Sequence, residues 1–196
     1  SININFAGEV FRPGIAPVHP FSTLISALSQ IGGIKTTGSL REIQIKRDGK
    51  TYANFDLYEY LLEGQLPDNI QLKDQDLIFV PIRLSTITID SAVMRPGIYE
   101  ARSDETIKSI LDYAGGPKEN ASSKLGIQRI ANSKVKNFYL TIKESENVKV
   151  ENGDKIEVME MFKSIQSVEI IGQVKSPGIY NYWTGMSIKD LFNLAG

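Results

Sequence analysis

The residues of this chain best suited to contact a ligand are aromatic and follow Pro-Gly pairs. Tyr180, Tyr182 and Trp183 lie within four positions of one another, just after the last such pair. Tyr99 occupies the matching place after an earlier pair. An aromatic ring combines an apolar face with a polar tip, which suits stacking against the C–H face of a sugar. The same rings could instead cover a helix or a seam between structural units, so the pattern leaves both roles open.

Two cations lie beside the same kind of turn and extend this hypothesis to a charged ligand. Arg12 and Arg95 each directly precede a Pro-Gly pair. A guanidinium at that place could pair with an acidic glycan, since it binds carboxylates well. It could equally be a solvated turn residue. We therefore group Arg12 and Arg95 with the aromatic residues as candidate ligand contacts.

The sequence argues against catalysis. A glycosidase needs two carboxylates about 5–10 Å apart on either side of a sugar. Asp76 and Asp154 instead recur at matching positions of a repeat, which indicates a structural turn role. The single histidine, His19, lies in a loop between prolines, and the chain has no cysteine. Thiol chemistry, iron–sulfur clusters and thiolate zinc sites are excluded, and we predict no catalytic residue, no metal and no cofactor.

Length and composition are those of an ordinary globular protein. The chain has 196 residues, of which 41% are hydrophobic and 23% are charged, and its formal net charge is -1. A nearly neutral chain lacks the positive field that attracts phosphates, so we predict no nucleic-acid partner. The sequence contains no apolar run of about 18 residues, so no membrane-spanning helix is predicted.

The chain repeats itself. The tripeptide Pro-Gly-Ile begins at Pro13, Pro96 and Pro177, with spacings of 83 and 81 residues. A valine lies three positions before each proline, and a glycine lies 19 positions after each one. The first two copies continue for roughly fifty more residues, so we predict two full repeats and the opening of a third. Because a natural protein rarely ends inside a core-forming unit, we expect this chain to be part of a longer one.

Each repeat is predicted to place strands on both sides of one helix. Alternation at residues 2–6 predicts a strand, and Pro-Gly predicts the turn of a hairpin. The turn at residues 48–49 predicts a second hairpin, and residues 76–81 predict a closing strand. The resulting order, β-β-α-β-β-β, lays one helix across a mixed sheet in an α+β architecture. We place the domain boundaries at 1–83, 84–163 and 164–196.

The helix of each repeat follows the apolar pattern i, i+3, i+4, i+7, which is typical of one buried face. The apolar positions are Leu24, Ala27, Leu28 and Ile31, then Ile107, Ile110, Leu111 and Ala114, then Ile188, Leu191, Phe192 and Ala195. Ser22 and Ser103 are predicted to cap the first two helices. Paired glycines at 32–33 and 115–116 are predicted to end them in a left-handed conformation.

These motifs resemble the soluble-ligand-binding β-grasp (SLBB) repeat of the bacterial polysaccharide biosynthesis and export protein family. The hairpin signature of that family, Gly-x-Val-x-x-Pro-Gly, is matched by GEVFRPG at 8–14 and GQVKSPG at 172–178. Its helix end, Ala-Gly-Gly, is matched at 114–116, and its closing strand by DQDLIFVP at 74–81. The second repeat departs from the signature, because Ser91 replaces the first glycine and Met159 stands where the closing proline is expected.

The resemblance implies tandem β-grasp (ubiquitin-like roll) repeats, each a mixed sheet packed on one helix. It implies a non-enzymatic structural and interaction module of an outer-membrane exporter for capsule or exopolysaccharide, on the periplasmic face of the outer membrane. The implied partners are a polysaccharide, further copies of the chain in a ring, and the inner-membrane export machinery. The alternative is a soluble module that recognises a glycan or a small molecule through its loop aromatics.

Overall fold

The computed structural model describes residues 1–65, 70–161, 166–182 and 185–196. The chain forms two similar α+β units, followed by a hairpin and a helix. The first unit contains β1 (Ile2–Gly8), β2 (Gly14–Val18), α1 (Leu24–Gln30), β3 (Ile43–Arg47), β4 (Lys50–Phe55), α2 (Leu57–Glu63) and β5 (Leu77–Val80). The second contains β6 (Thr86–Ser91), β7 (Gly97–Glu100), α3 (Ile107–Tyr113), β8 (Ala121–Ala131), β9 (Lys134–Thr141), a 3-10 helix (Glu144–Asn147) and β10 (Lys155–Glu160). The last elements are β11 (Gln166–Ile170), β12 (Gly178–Tyr182) and α4 (Ile188–Ala195).

Both sheets have the same topology. The strand order is β2-β1-β5-β3-β4 in the first sheet and β7-β6-β10-β8-β9 in the second. In each sheet the first and last strands of the unit pair in parallel, and the hairpins pair antiparallel. One helix packs on the inner face of each mixed sheet, which confirms the predicted α+β class and the tandem β-grasp repeats. The exact residues of the repeat boundaries stay predictions.

The core of each unit lies between the sheet and its helix. In the first unit, the four predicted helix residues are at most 5% exposed. In the second, Ile107, Ile110, Leu111 and Ala114 are completely buried against residues of β6, β8 and β10. Full burial of an isoleucine or leucine side chain contributes about 1.5–3 kcal/mol. These faces therefore fix each helix on its sheet.

Threonines cap the first two central helices. The hydroxyl of Thr23 accepts a hydrogen bond of 3.2 Å from the third backbone N–H of α1, and Thr106 caps α3 in the same way at 3.3 Å. The predicted caps, Ser22 and Ser103, are wrong. Only the residue directly before a helix is placed to reach its third N–H, and the helices begin later than the serines require.

The left-handed glycine ends are confirmed. The φ angles are +93° and +88° at Gly32 and Gly33, and +81° at both Gly115 and Gly116. In each pair the second glycine donates its N–H at 2.9 Å to a carbonyl of the last helical turn. This closing bond requires a conformation that glycine adopts without penalty, because it has no Cβ.

A short helical element after the second hairpin of each unit was not predicted. In the first unit α2 is capped by Asp56, whose carboxylate accepts a bond of 2.9 Å from the Tyr58 N–H. In the second unit the 3-10 helix occupies the corresponding place. Neither element completes the apolar i, i+3, i+4, i+7 pattern that marks the central helices, because Gly64 occupies the last position of that pattern at α2 and the 3-10 helix is polar throughout.

The apolar face of α4 is more exposed than its sequence pattern predicted. Ile188 is 74% exposed and Phe192 is 53% exposed, whereas Ala195 is buried. Of the described residues that follow the second unit, only β11 and β12 form strands, and they pair with each other. The burial prediction for this helix is therefore wrong for Ile188 and Phe192 in this chain.

Candidate functional site

The matching hairpin tyrosines are tied to their own turns. The hydroxyl of Tyr99 donates a hydrogen bond of 2.8 Å to the carbonyl of Arg95, and that of Tyr180 donates to the carbonyl of Ser176 at the equivalent place. Both tyrosines are half-buried. Each hydroxyl thus holds a Pro-Gly turn closed, which gives these rings a structural role. Their predicted ligand role stays a prediction.

The other predicted contacts are spread over the hairpins. Tyr182 is half-buried on the same strand as Tyr180, and Trp183 lies outside the described residues. Arg12 is exposed on the first hairpin. Arg95, also exposed, donates from Nη2 to the Tyr113 carbonyl at the end of α3 at 2.9 Å. The predicted set is thus divided among three repeats, and each hairpin carries only part of it.

A bidentate arginine–aspartate pair recurs in both units. Arg47 on β3 donates from Nε and Nη2 to the two carboxylate oxygens of Asp76, at 2.8 Å each. Arg129 on β8 contacts Asp154 in the same way, at 2.8 and 2.6 Å. The aspartates are 0% and 1% exposed. This geometry confirms the structural role predicted for Asp76 and Asp154, and we name each pair a clamp.

Each clamp also includes an aromatic ring. The guanidinium carbon of Arg47 lies 4.0 Å from the ring centroid of Tyr52, and that of Arg129 lies 5.5 Å from the centroid of Phe138. The hydrogen bonds to the aspartates raise the pKa of both arginines. Each clamp therefore fastens the second hairpin of its unit to the loop before the closing strand.

A buried group of charged side chains joins the two units. Arg41 of the first unit contacts Asp56 of the same unit at 3.0 Å and Glu105 of the second unit at 2.7 Å. Its Nη1 also donates to the Glu100 carbonyl at 3.3 Å. Burial by itself lowers the pKa of Arg41, but the hydrogen bonds to Asp56 and Glu105 outweigh it and raise that pKa. The guanidinium therefore stays charged at this junction.

A second set of bonds crosses the junction at Glu100. Its carboxylate accepts from the Ser39 hydroxyl at 2.6 Å and from the Leu40 N–H at 2.8 Å. Its own backbone N–H donates to the Tyr58 hydroxyl at 2.7 Å. Glu100 is 5% exposed, so a buried carboxylate of the second unit is satisfied by groups of the first.

Two tyrosines enclose the cation of the junction. The guanidinium carbon of Arg41 lies 4.6 Å from the Tyr58 centroid and 5.3 Å from the Tyr113 centroid. Tyr113 donates from its hydroxyl to Glu105 at 2.5 Å. Burial, and to a smaller extent the hydrogen bond to Glu105, raises the pKa of Tyr113 to about 12. Burial also raises the pKa of Tyr58. The junction is thus a compact ionic and aromatic contact.

Sequence reasoning missed the junction because its residues do not recur. Aligned on the strands, Arg41 corresponds to Ser123 and Asp56 to Thr141 in the second unit, so no repeat signature marks them. The sequence signal that could have revealed the junction is this difference between the two repeats. A charged pair present in one repeat and absent from the other indicates a contact particular to that repeat.

Within the described ranges, no group of three or more His, Cys, Asp or Glu side chains is placed to hold a metal ion. Over those same ranges, no helix is both long enough and apolar enough to cross a bilayer.

Two α+β units of identical topology define a protein of tandem β-grasp domains. Comparison with protein families agrees: one profile described as the SLBB domain matches residues 3–80, and a second with the same description matches residues 87–130 and 167–196. The chain therefore belongs to the SLBB domain family, as repeats of the polysaccharide export kind.

Two curated relatives are similar to this chain over part of their length. One is "Polysialic acid transport protein KpsD" of Escherichia coli, 28% identical over 155 residues, or 78% of this chain and 27% of the relative. The other is "EPS I polysaccharide export outer membrane protein EpsA" of Ralstonia nicotianae, 33% identical over 113 residues, or 56% of this chain and 29% of the relative. The chain thus spans less than a third of either relative.

Proposed function

We propose that this chain is a non-enzymatic structural and interaction module of an outer-membrane polysaccharide export protein, on the periplasmic side of that membrane. The names of the two relatives, a transport protein and an export protein, support this role. The clamps also support it, because they commit Asp76 and Asp154 to structural ion pairs. In this proposal the chain makes and breaks no bond of its cargo.

The observation that carries the proposal is an exposed isoleucine repeated on three edge strands. Ile15, Ile98 and Ile179 each follow Pro-Gly, and they are 69%, 61% and 72% exposed. They lie on β2, β7 and β12, each of which pairs with one neighbour at the end of its sheet. An edge strand with an exposed apolar residue favours pairing with another chain. We infer that these hairpins form the contacts with neighbouring copies in a ring or with the inner-membrane machinery.

The contacts between the first two repeats support a structural role by a separate argument. A conduit built from flexible linkers would not hold a defined path, whereas buried ion pairs fix the orientation of neighbouring domains. Arg41 and Glu100 each bridge the first two repeats through contacts that are almost completely buried. We infer that the first two repeats act as one rigid segment of the assembled exporter.

The test uses the intact natural protein with the substitution Ile98→Asp. We expect a smaller assembly in native mass spectrometry and less polysaccharide at the cell surface, because a charge on the edge strand opposes pairing. The matched control is Ile130→Asp, since Ile130 is 64% exposed but lies near the turn of the β8–β9 hairpin. An unchanged assembly and normal export in the Ile98→Asp variant would contradict the proposal.

A further inference from the structure

The outer face of the second sheet contains a groove of about 510 Å³. It lies across β6, β10, β8 and β9, on the side of the sheet opposite the helix α3. The alternation of the strands explains its position, because Leu125, Ile127 and Ile156 turn inward to the core and their neighbours turn outward. Such a volume lies within the range of about 300–1,000 Å³ that is usual for ligand pockets.

Two rows of outward residues form the floor of the groove. The first row, read across the four strands, is Asp90, Glu157, Gly126 and Tyr139. The second row lies two residues along each strand, on the same face, and includes Lys155, Gln128 and Asn137. The Gln128 amide donates to the Asn137 carbonyl oxygen at 3.3 Å. The floor therefore presents carboxylates, an ammonium and two amides beside one aromatic ring.

Tyr139 supplies an apolar surface at the end of the first row. It is 69% exposed, although it lies in the middle of β9. Its neighbour across the strands is Gly126, and a Cβ added there would lie 3.5 Å from Cε1 of the tyrosine. The position beside the ring thus has no side chain, and the ring edge lies within van der Waals range of the space that a Cβ would occupy.

The groove extends past this ring. A second depression of about 420 Å³ lies beyond it and is lined by Lys124, Thr141 and Met159. Tyr139 lines both depressions. A ligand that fills them would pass over the ring from one side to the other. This shape suits an extended chain of linked units better than a compact molecule.

The β-grasp fold does not require the outward residues that line this groove. In the first sheet the corresponding row is Ala7, Phe79, Gln44 and Asn54. There Phe79 occupies the central strand, and the Lys46 ammonium lies 4.9 Å from its ring centroid. Both sheets fold with the same topology although these outward residues differ. The fold therefore does not require the outward residues of the second face.

The charges of the groove select among glycans. Asp90 and Glu157 are cross-strand neighbours, and Lys155 is the nearby cation, so the face carries a small negative excess. A polyanion would meet two carboxylates side by side, which opposes binding. Sugar hydroxyls both donate and accept hydrogen bonds, so they match carboxylates, amides and an ammonium together.

The geometry points to a binding subsite for an uncharged oligosaccharide in this groove. One sugar ring stacks on Tyr139, and hydroxyl groups of the flanking sugars bond to Asp90, Lys155 and Gln128. The inference rests on the proposed export function, because it makes the second repeat a contact point for cargo. It differs from the hairpin hypothesis, since it uses none of the residues near the Pro-Gly turns.

The test is a titration of the 196-residue chain, labelled with ¹⁵N, with the neutral probes cellohexaose and maltohexaose. We expect amide shifts at residues 126 and 139 with at least one probe, and little change in affinity between 0.05 and 0.5 M NaCl. Tyr139→Ala should weaken binding about tenfold, because the stacking surface is lost. The control is Tyr52→Ala, which removes a tyrosine that is 54% exposed on the corresponding strand of the first repeat.

A second variant fills the groove without removing a contact. Gly126→Leu should block binding, because a Cβ there already lies 3.5 Å from the Tyr139 ring and the longer side chain would occupy the place of the stacked sugar. Circular dichroism of this variant checks that the chain still folds. Binding that survives Gly126→Leu, or that Tyr52→Ala weakens as much as Tyr139→Ala, would overturn the inference. So would binding of oligosialic acid alone, or of neither neutral probe. If neither neutral probe binds while Ile98→Asp abolishes export, the groove inference is contradicted and the proposed export function is still supported.

Discussion

Arg41 of the first repeat and Glu105 of the second form an ion pair of 2.7 Å across 64 residues of sequence. Arg41 also pairs with Asp56, and the three side chains are only 5%, 12% and 7% exposed. Two half-buried carboxylates from different repeats therefore share one buried guanidinium. The loss of that cation would leave Glu105 without an ion-pair partner and Asp56 with only the more exposed Arg102 at 3.3 Å, which costs more than the pair itself contributes.

The first prediction follows from this dependence. Arg41→Met should lower the free energy of unfolding by about 3 kcal/mol, because Glu105 loses its ion-pair partner and Asp56 keeps only the longer contact with Arg102. The measurement is urea denaturation followed by circular dichroism. Arg102→Met is the control, since Arg102 is 43% exposed at the same junction and its pairs should contribute less than about 1 kcal/mol. Equal effects of the two substitutions would contradict the central role of Arg41.

The second prediction concerns the two clamps. Asp76→Asn and Asp154→Asn should each destabilise the chain by about 2 kcal/mol, because a charge-assisted bidentate pair is replaced by a weaker one. Similar values are expected, since the two pairs have nearly the same geometry. Asp104→Asn, at an exposed position, should change stability by less than about 0.5 kcal/mol. A clear effect in only one repeat would show that the clamps are not equivalent.

The fold could be predicted because its signals repeat. Pro-Gly turns, the i, i+3, i+4, i+7 helix faces and the glycine ends are local features, and each appears at least twice in the chain. The cap residues were placed wrongly because neighbouring serines and threonines, such as Ser22 and Thr23, have similar capping preferences. Which of the two residues becomes the N-cap depends on where the helix begins, and the packing of the helix on its sheet determines that residue.

The interaction sites were harder to predict, because they depend on register and on contacts between distant residues. Tyr99 is conspicuous in the sequence, but its hydroxyl is bonded within its own turn. Tyr139 carries no motif and becomes notable only when strand pairing places it beside Gly126. Arg41 is one of many charged residues until folding brings Glu105 to it. A sequence pattern records none of these long-range neighbours.

The third prediction is a loss of stability at alkaline pH. The ordinary pKa of a tyrosine is 10.0, and the folded chain raises the pKa of Tyr113 to about 12 through burial and its bond to Glu105. The folded state thus favours the neutral phenol. The stabilisation is complete below pH 10 and is lost as the pH rises from 10 to 12. Because the ring is only half-buried, we expect a loss of about 1 kcal/mol.

The measurement compares urea unfolding of the wild type and Tyr113→Phe at pH 9 and pH 11. Stability of the wild type should fall by more than that of the variant, because phenylalanine has no proton to release. The pKa of Tyr58 is also raised, but Tyr58 is present in both proteins, so its contribution cancels in the difference. Parallel losses in the two proteins would show that Tyr113 does not hold its proton more tightly in the fold.

The last prediction compares two glycines of the first hairpin that differ in their surroundings. Gly8 has a φ of +84°, and a Cβ there would lie 2.0 Å from the Val80 carbonyl oxygen on the neighbouring strand. Gly14 has a φ of +121° with no atom within 4 Å of the added Cβ. Gly14→Ala should therefore cost only the backbone strain, about 1–3 kcal/mol.

Gly8→Ala should cost more, about 4 kcal/mol, because the end of β1 must also move away from Val80 on β5. Chemical denaturation of both variants gives the comparison. In the second repeat, Ser91 occupies the place of Gly8 with a φ of +71°. The first repeat thus depends on glycine for its close strand approach rather than for its φ alone. Equal destabilisation by the two alanines would indicate that strain, not the contact with Val80, sets the cost.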